Sequence, residues 1–122
     1  MKAEIKIVKA RDFLKTKASG ELNLAGSKKL LAQIAELNEQ SNFHEILIDI
    51  RETTSKMTLS DIYEIVTELT KYRKAFRKKV AILMGPNNDI DKANFLEMCA
   101  QNRGFLVNAV DNFEEAITWL MR

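Results

Sequence analysis

This chain is poor in the residues that most often announce chemistry. Cys99 is its only cysteine, so no internal disulfide can form and a reducing compartment is expected. His44 is its only histidine and lies far from Cys99, so the usual zinc ligand sets cannot be assembled and no metal or other cofactor is expected. Its four glycines, Gly20, Gly26, Gly85 and Gly104, are scattered, which excludes a glycine-rich phosphate loop. No apolar run approaches the ~18 to 20 residues of a membrane span. Residues 1–13 carry charges throughout and lack an apolar core of signal-peptide length, so a cytoplasmic location is expected. The net charge of +2 is too small for wholesale binding to nucleic acid, and no nucleic-acid motif occurs; nucleic acid is not an expected partner.

What is present is a rhythm. Among 122 residues, 46% hydrophobic and 30% charged, three short apolar runs end at Ile50, Met84 and Val110, each followed by a helix-like segment. Runs this short and β-branched, apolar on both faces, suit parallel strands covered by helices on two sides. The length is that of one domain spanning residues 1–122.

The remaining elements follow from periodicity. Residues 4–9 alternate, and Phe13, Leu14 and Thr16 form a second extended stretch, with Arg11 and Asp12 as turn material and Gly20 where the sheet gives way to a connection. From Ser27, the apolar residues Leu30, Leu31, Ile34 and Leu37 predict an amphipathic helix ending near Ser41 and Asn42. Thr58 and Asp61 have capping-box spacing at the start of a second helix, which buries Ile62, Ile65, Val66 and Leu69. Gly85-Pro86-Asn87-Asn88 reads as a loop. Asn88 or Asp89 then caps a third helix burying Phe95, Leu96 and Cys99, with Gly104 at its left-handed C′ position. A last helix, opened by Asp111-Asn112, carries Phe113, Ala116, Ile117 and Leu120. The predicted order is β-β-α-β-α-β-α-β-α.

Several stretches together resemble the SpoIIAA-like branch of the STAS domains, the fold of bacterial anti-sigma-factor antagonists. They are Ser19-Gly20-Glu21-Leu22, the strand Ile46 to Ile50, Leu59-Ser60-Asp61-Ile62-Tyr63, Asn102-Arg103-Gly104-Phe105, and Glu114-Glu115-Ala116 with Trp119-Leu120. The resemblance spans roughly residues 4–121 and implies an α/β fold, a mixed and mostly parallel sheet of about five strands flanked by about four helices. It also implies a regulatory protein that binds other proteins. In the antagonists a serine in an Asp-Ser-Ser/Thr-Gly turn is phosphorylated by a partner kinase. Here the turn reads Met57-Thr58-Leu59-Ser60-Asp61, so that string is absent, and Thr58 and Ser60 are the hydroxyls on offer.

Each candidate site has a plainer structural reading. Thr58 and Ser60 suit N-capping for backbone reasons alone. The polar stretch from Arg51 to Met57 reads as a flap over the carboxyl edge of the sheet, where open α/β sheets bind ligands. Asp49, Arg51, Asn87 and Asn88 would face that crevice, or Asp49 is simply satisfied by nearby amides. Met57, Leu59, Tyr63, Phe95 and Met98 are candidate pocket residues, or ordinary core. Lys71, Arg73, Lys74, Arg77, Lys78 and Lys79, interleaved with Tyr72 and Phe76, either complement a helix C-terminus or form an anionic-surface contact. Near an anionic bilayer each would contribute about 1 kcal/mol. Cys99, on an apolar stripe, reads as a small buried hydrophobe. No catalytic constellation emerges, and no enzyme is expected.

The sequence therefore favours a non-catalytic regulatory module that binds a protein at the start of its second helix, through Thr58, Ser60, Asp61 and Tyr63. The alternative is a carrier or sensor of a small apolar ligand, with peripheral association to membrane surfaces. A homodimer is the remaining candidate assembly.

Overall fold

The computed structural model describes residues 13–40 and 44–122 in full and residues 4–9 as backbone. Arg11 and Asp12, expected in a turn, and Ser41 and Asn42, expected at a helix end, lie outside the described residues. The elements are β1 (Glu4–Lys9), β2 (Phe13–Glu21), α1 (Leu24–Gln40), β3 (Glu45–Thr54), α2 (Leu59–Leu69), β4 (Val80–Leu83), α3 (Ile90–Asn102), β5 (Val107–Val110) and α4 (Phe113–Leu120), with a 3₁₀ turn at Thr70–Tyr72. This is the predicted order. The five strands lie side by side in chain order, β2 to β5 parallel and β1 antiparallel at the edge.

Sequential order has a consequence for layering. Crossovers between neighbouring parallel strands share one hand, so successive helices fall on the same side. Residues of α1, α2 and α3 accordingly pack with Leu14, Ile46, Ile48, Val80, Ile82 and Val107 in one core. The other face is covered by α4, whose Ala116 and Leu120 pack with Leu47, Ala81, Leu83 and Val110. Burial on both faces accounts for the continuous apolar runs of the central strands.

Helix ends follow their sequence signals. Thr58 and Asp61 form a complete capping box: the Asp61 amide donates to Thr58 Oγ1 at 3.1 Å and the Thr58 amide to Asp61 Oδ2 at 3.0 Å. Such a cap contributes about 1 kcal/mol. Gly104, at φ +87°, ends α3 in a Schellman motif, with its own amide bonded to the Gln101 carbonyl and that of Phe105 to Ala100. α1 begins at Leu24 rather than Ser27, because Asn23 Oδ1 accepts from the Gly26 amide and caps the extra turn.

Two expectations are corrected. The sheet does not give way at Gly20: β2 runs on to Glu21, and Ser19, Gly20 and Glu21 pair with Glu52, Thr53 and Thr54. The segment from Arg51 is therefore no flap, since β3 extends to Thr54 and the Leu22 amide donates to its carbonyl. Between the Lys17–Asp49 and Ser19–Glu52 pairs β3 carries one extra residue, a bulge that reverses the alternation of side chains. Gly20 takes φ +92° beside it, a conformation open to glycine. The second correction concerns the basic stretch, which belongs to no α-helix. After the 3₁₀ turn the chain folds back, anchored by buried Ala75 and Phe76, whose amides both donate to the Tyr72 carbonyl.

Candidate functional site

Three pieces meet at the carboxyl ends of the central strands: the end of β3, the start of α2 and the loop from β4 to α3. Asn88 ties two of them together. Its Oδ1 accepts from the Gly85 amide at 2.7 Å and its Nδ2 donates to the Thr53 carbonyl at 3.3 Å. Gly85 allows a close approach here, since a Cβ there would lie 3.2 Å from both the Cβ and the carbonyl oxygen of Arg51, a contact tight enough to make β3 shift. Asp89 then caps α3, accepting from the amides of Asp91 and Lys92.

Beneath this edge, between the sheet and α1–α3, lies a cavity of about 210 Å³. Its wall is mainly aliphatic, from Leu30, Leu31, Ile48, Ile62, Ile65 and Leu69, and Asn87, Asp89 and Lys92 stand at its polar end. Because of the bulge, Thr53 reaches this cavity rather than the opposite face, and its hydroxyl donates to the Ile50 carbonyl at 2.7 Å.

The expected pocket residues separate. Met57 and Asn87 line the cavity. Leu59 (52% exposed) and Met98 (51%) face solvent instead, and Phe95 packs half-buried against the core without lining the cavity. Asp49 and Arg51 stand away from the cavity, on the α4 side of the sheet with Leu47. Asp49, only 1% exposed, accepts from the Arg51 amide and Nε at 3.0 Å each and from Nη2 at 2.8 Å. Burial would raise its pKa, but the hydrogen bonds from Arg51, with the charges of Arg51 and Lys17, outweigh burial and hold the carboxyl below its ordinary value. Arg51 therefore satisfies Asp49, through its backbone amide as well as its guanidinium.

At the start of α2, Thr58, Leu59, Ser60 and Tyr63 are exposed. Leu59 and Tyr63, four residues apart, share one helix face, and the Arg103 guanidinium lies 4.7 Å from the Tyr63 ring centroid. Asp61, in the same first turn, is occupied by the capping box.

The basic cluster is largely engaged. Lys71 pairs with Glu68 at 3.0 Å, and that hydrogen bond raises its pKa. Arg73 donates to the Arg103 carbonyl at 2.8 Å and stacks 4.6 Å from the Phe105 ring centroid. Lys79 donates to the carbonyls of Trp119 and Arg122. Lys74, Arg77 and Lys78 are exposed. Sequence reasoning missed Ser27 as a cavity residue: it read as a helix start, and nothing in its neighbours signals the void beside it.

Among the described residues no group of three or more His, Cys, Asp or Glu is arranged to hold a metal, and no helix is long and apolar enough to cross a membrane. No family model and no curated protein matches the sequence. Solved structures do match. The chain is similar to an uncharacterised protein of the DUF3478 family with a SpoIIAA-like fold from Shewanella loihica PV-4, at 20% identity and a TM-score of 0.61, covering 98% of this chain and 94% of that one. It is similar to an anti-sigma factor antagonist from Mycobacterium paratuberculosis at 11% identity and a TM-score of 0.64, over 98% and 95% of the two chains. It is also similar to the anti-sigma factor antagonist SpoIIAA in its unphosphorylated form, at 15% identity and a TM-score of 0.58, over 97% and 98%. The chain has a SpoIIAA-like, STAS-like fold.

Proposed function

We propose that this protein is a non-catalytic regulatory module that binds another protein through the start of α2. The observation that carries the reading is the pair Leu59 and Tyr63, half-exposed on one face of a helix whose first turn is fixed by the capping box. A surface held in place before binding loses little entropy on association. Likeness to anti-sigma factor antagonists supports a regulatory protein partner. Thr58 and Ser60 are the hydroxyls through which a modification would act. A phosphate on Thr58 would face the Asp61 carboxylate and dismantle the capping box. On Ser60 it would sit at the positive end of the helix and change the charge of the contact while keeping the fold.

The test is affinity capture from the producing cell, comparing the native chain, a Leu59→Asp/Tyr63→Ala variant and a Met121→Asp control at an exposed site on another element. A protein held by the native chain and the control but lost by the double variant supports the reading. Equal retention by all three, or none by the native chain, overturns it.

A second reading, carriage of a small apolar ligand, is favoured by the cavity of about 210 Å³. Mass spectra of freshly purified protein under native and then denaturing conditions test it. Extra mass that disappears on denaturation supports a bound molecule, and a bare-chain native mass counts against it.

A further inference from the structure

The buried part of the cavity wall contains one polar group that its surroundings leave poorly satisfied. Ser27, in the first turn of α1, is 5% exposed and lines the cavity, and among the described residues its Oγ makes one hydrogen bond, a donation to Met57 Sδ at 3.7 Å. A thioether is a weak acceptor, and the hydroxyl lone pairs keep their capacity to accept. The wall's Asn87 is exposed to solvent, and the other uncharged polar side chains of the wall are bonded within the protein. Thr53 donates to the Ile50 carbonyl, Ser55 Oγ accepts from the Met57 amide at 3.1 Å, and both ends of the Asn88 amide are bonded.

Charge and size narrow the occupant. The charged wall residues, Asp89 and Lys92, both belong to the start of α3 at the polar end, and the aliphatic interior offers no counter-ion. An ionised group taken inside would lose its hydration without compensation. An apolar cavity of about 150 Å³ accommodates benzene. At about 210 Å³ this cavity suits a ring system a few atoms larger, roughly eight to ten non-hydrogen atoms.

We infer that the cavity receives a neutral, largely apolar ring compound bearing a single N–H or O–H donor, and that Ser27 Oγ accepts the hydrogen bond from that donor. The inference rests on the ligand-carrier reading and names the chemical class that reading leaves open. Indole and indene make the test: both have nine ring atoms, and indole alone carries the donor. Titration of the full chain with each, followed by amide chemical shifts, should show binding at cavity residues such as Leu30, Ile62 and Ile65. Indole should bind up to about tenfold more tightly than indene. Ser27→Ala, nearly isosteric and checked for an unchanged melting temperature, should reduce indole to the affinity of indene. Equal affinities in the native protein, or indole binding unaffected by Ser27→Ala, would overturn the role of Ser27 while leaving a cavity that takes apolar rings. Tighter binding of indole-3-carboxylate than of indole would overturn the neutral class. If neither neutral ring perturbs the cavity residues, the inference and the ligand-carrier reading fall together.

Discussion

The side-chain amide of Asn38 donates to the Ala75 carbonyl at 2.7 Å, joining α1 to the turn that carries the basic stretch, 37 residues away in the chain. The same amide donates to the His44 carbonyl at 3.1 Å and accepts from the His44 amide at 2.7 Å, so one fully buried side chain ties α1, the approach to β3 and the turn before β4. Removing it strands the buried Ala75 carbonyl and the partly buried amide and carbonyl of His44 at once, whereas an exposed asparagine would leave such groups to water. Asn38→Ala should therefore lower stability by about 2 to 4 kcal/mol. Urea denaturation followed by circular dichroism gives the value, and a loss below about 0.5 kcal/mol would show that water replaces the amide.

Asp49 sets a pH dependence. Its folded carboxyl titrates below the unfolded value of about 3.9, so the unfolded chain binds the proton more readily and stability rises with pH through that interval. The contribution is complete above the unfolded value and is lost as pH falls through the folded one. Asp49→Asn should cost about 1 to 3 kcal/mol at pH 7. The gap between the two proteins should shrink as acid is added below about pH 4. A gap that stays constant from pH 7 to pH 2 would remove Asp49 from the acid response.

The outer edge of β5 is closed by side chains of α3. Glu97 accepts from the Ala109 amide at 2.7 Å, and Gln101 donates to the Val107 carbonyl at 3.0 Å. Both backbone groups point away from β4, where a further strand would bond. Glu97→Ala combined with Gln101→Ala should open this edge to pairing with another chain. Sedimentation velocity at rising concentration should show self-association in the double variant beyond that of the native chain.

Lys79 and its neighbours should behave differently although they share a charge. Lys79 satisfies backbone carbonyls at the end of α4 and lies 5.6 Å from the Trp119 ring centroid. Lys79→Met should cost about 1 kcal/mol in thermal or chemical unfolding. Reversing Arg77 and Lys78 to glutamate should change stability by less than about 0.5 kcal/mol. The same reversal should abolish whatever co-sedimentation with phosphatidylserine vesicles the native chain shows at low salt. Undiminished co-sedimentation would place any membrane contact elsewhere.

What could be read from the sequence follows from where burial leaves a trace. The runs ending at Ile50, Met84 and Val110 were legible because strands covered on both faces can hold little but apolar residues. Thr58 with Asp61, and Gly104, were legible because capping and a left-handed turn demand particular side chains. Arg51 to Thr54 looked like loop because the extension of β3 is mostly exposed, and its strand character comes from pairing with β2, which composition does not record. The roles of Lys79 and Asn38 depend on partners 37 to 43 residues away. The cavity was illegible for a different reason: Leu30, Ile62 and Ile65 would have the same periodicity around a void as around a filled core.

The placement of α4 alone on the second face makes the order of synthesis matter. Once β5 has emerged, α1, α2 and α3 can already cover their side of the sheet, yet Leu47, Ala81, Leu83 and Val110 still lack their partners Ala116 and Leu120. Until Ala116 and Leu120 leave the ribosome, the nascent sheet presents an apolar strip to its surroundings. A chain cut after Asn112 would keep that strip indefinitely, and would be expected to depend on chaperones or to aggregate even with its other core complete.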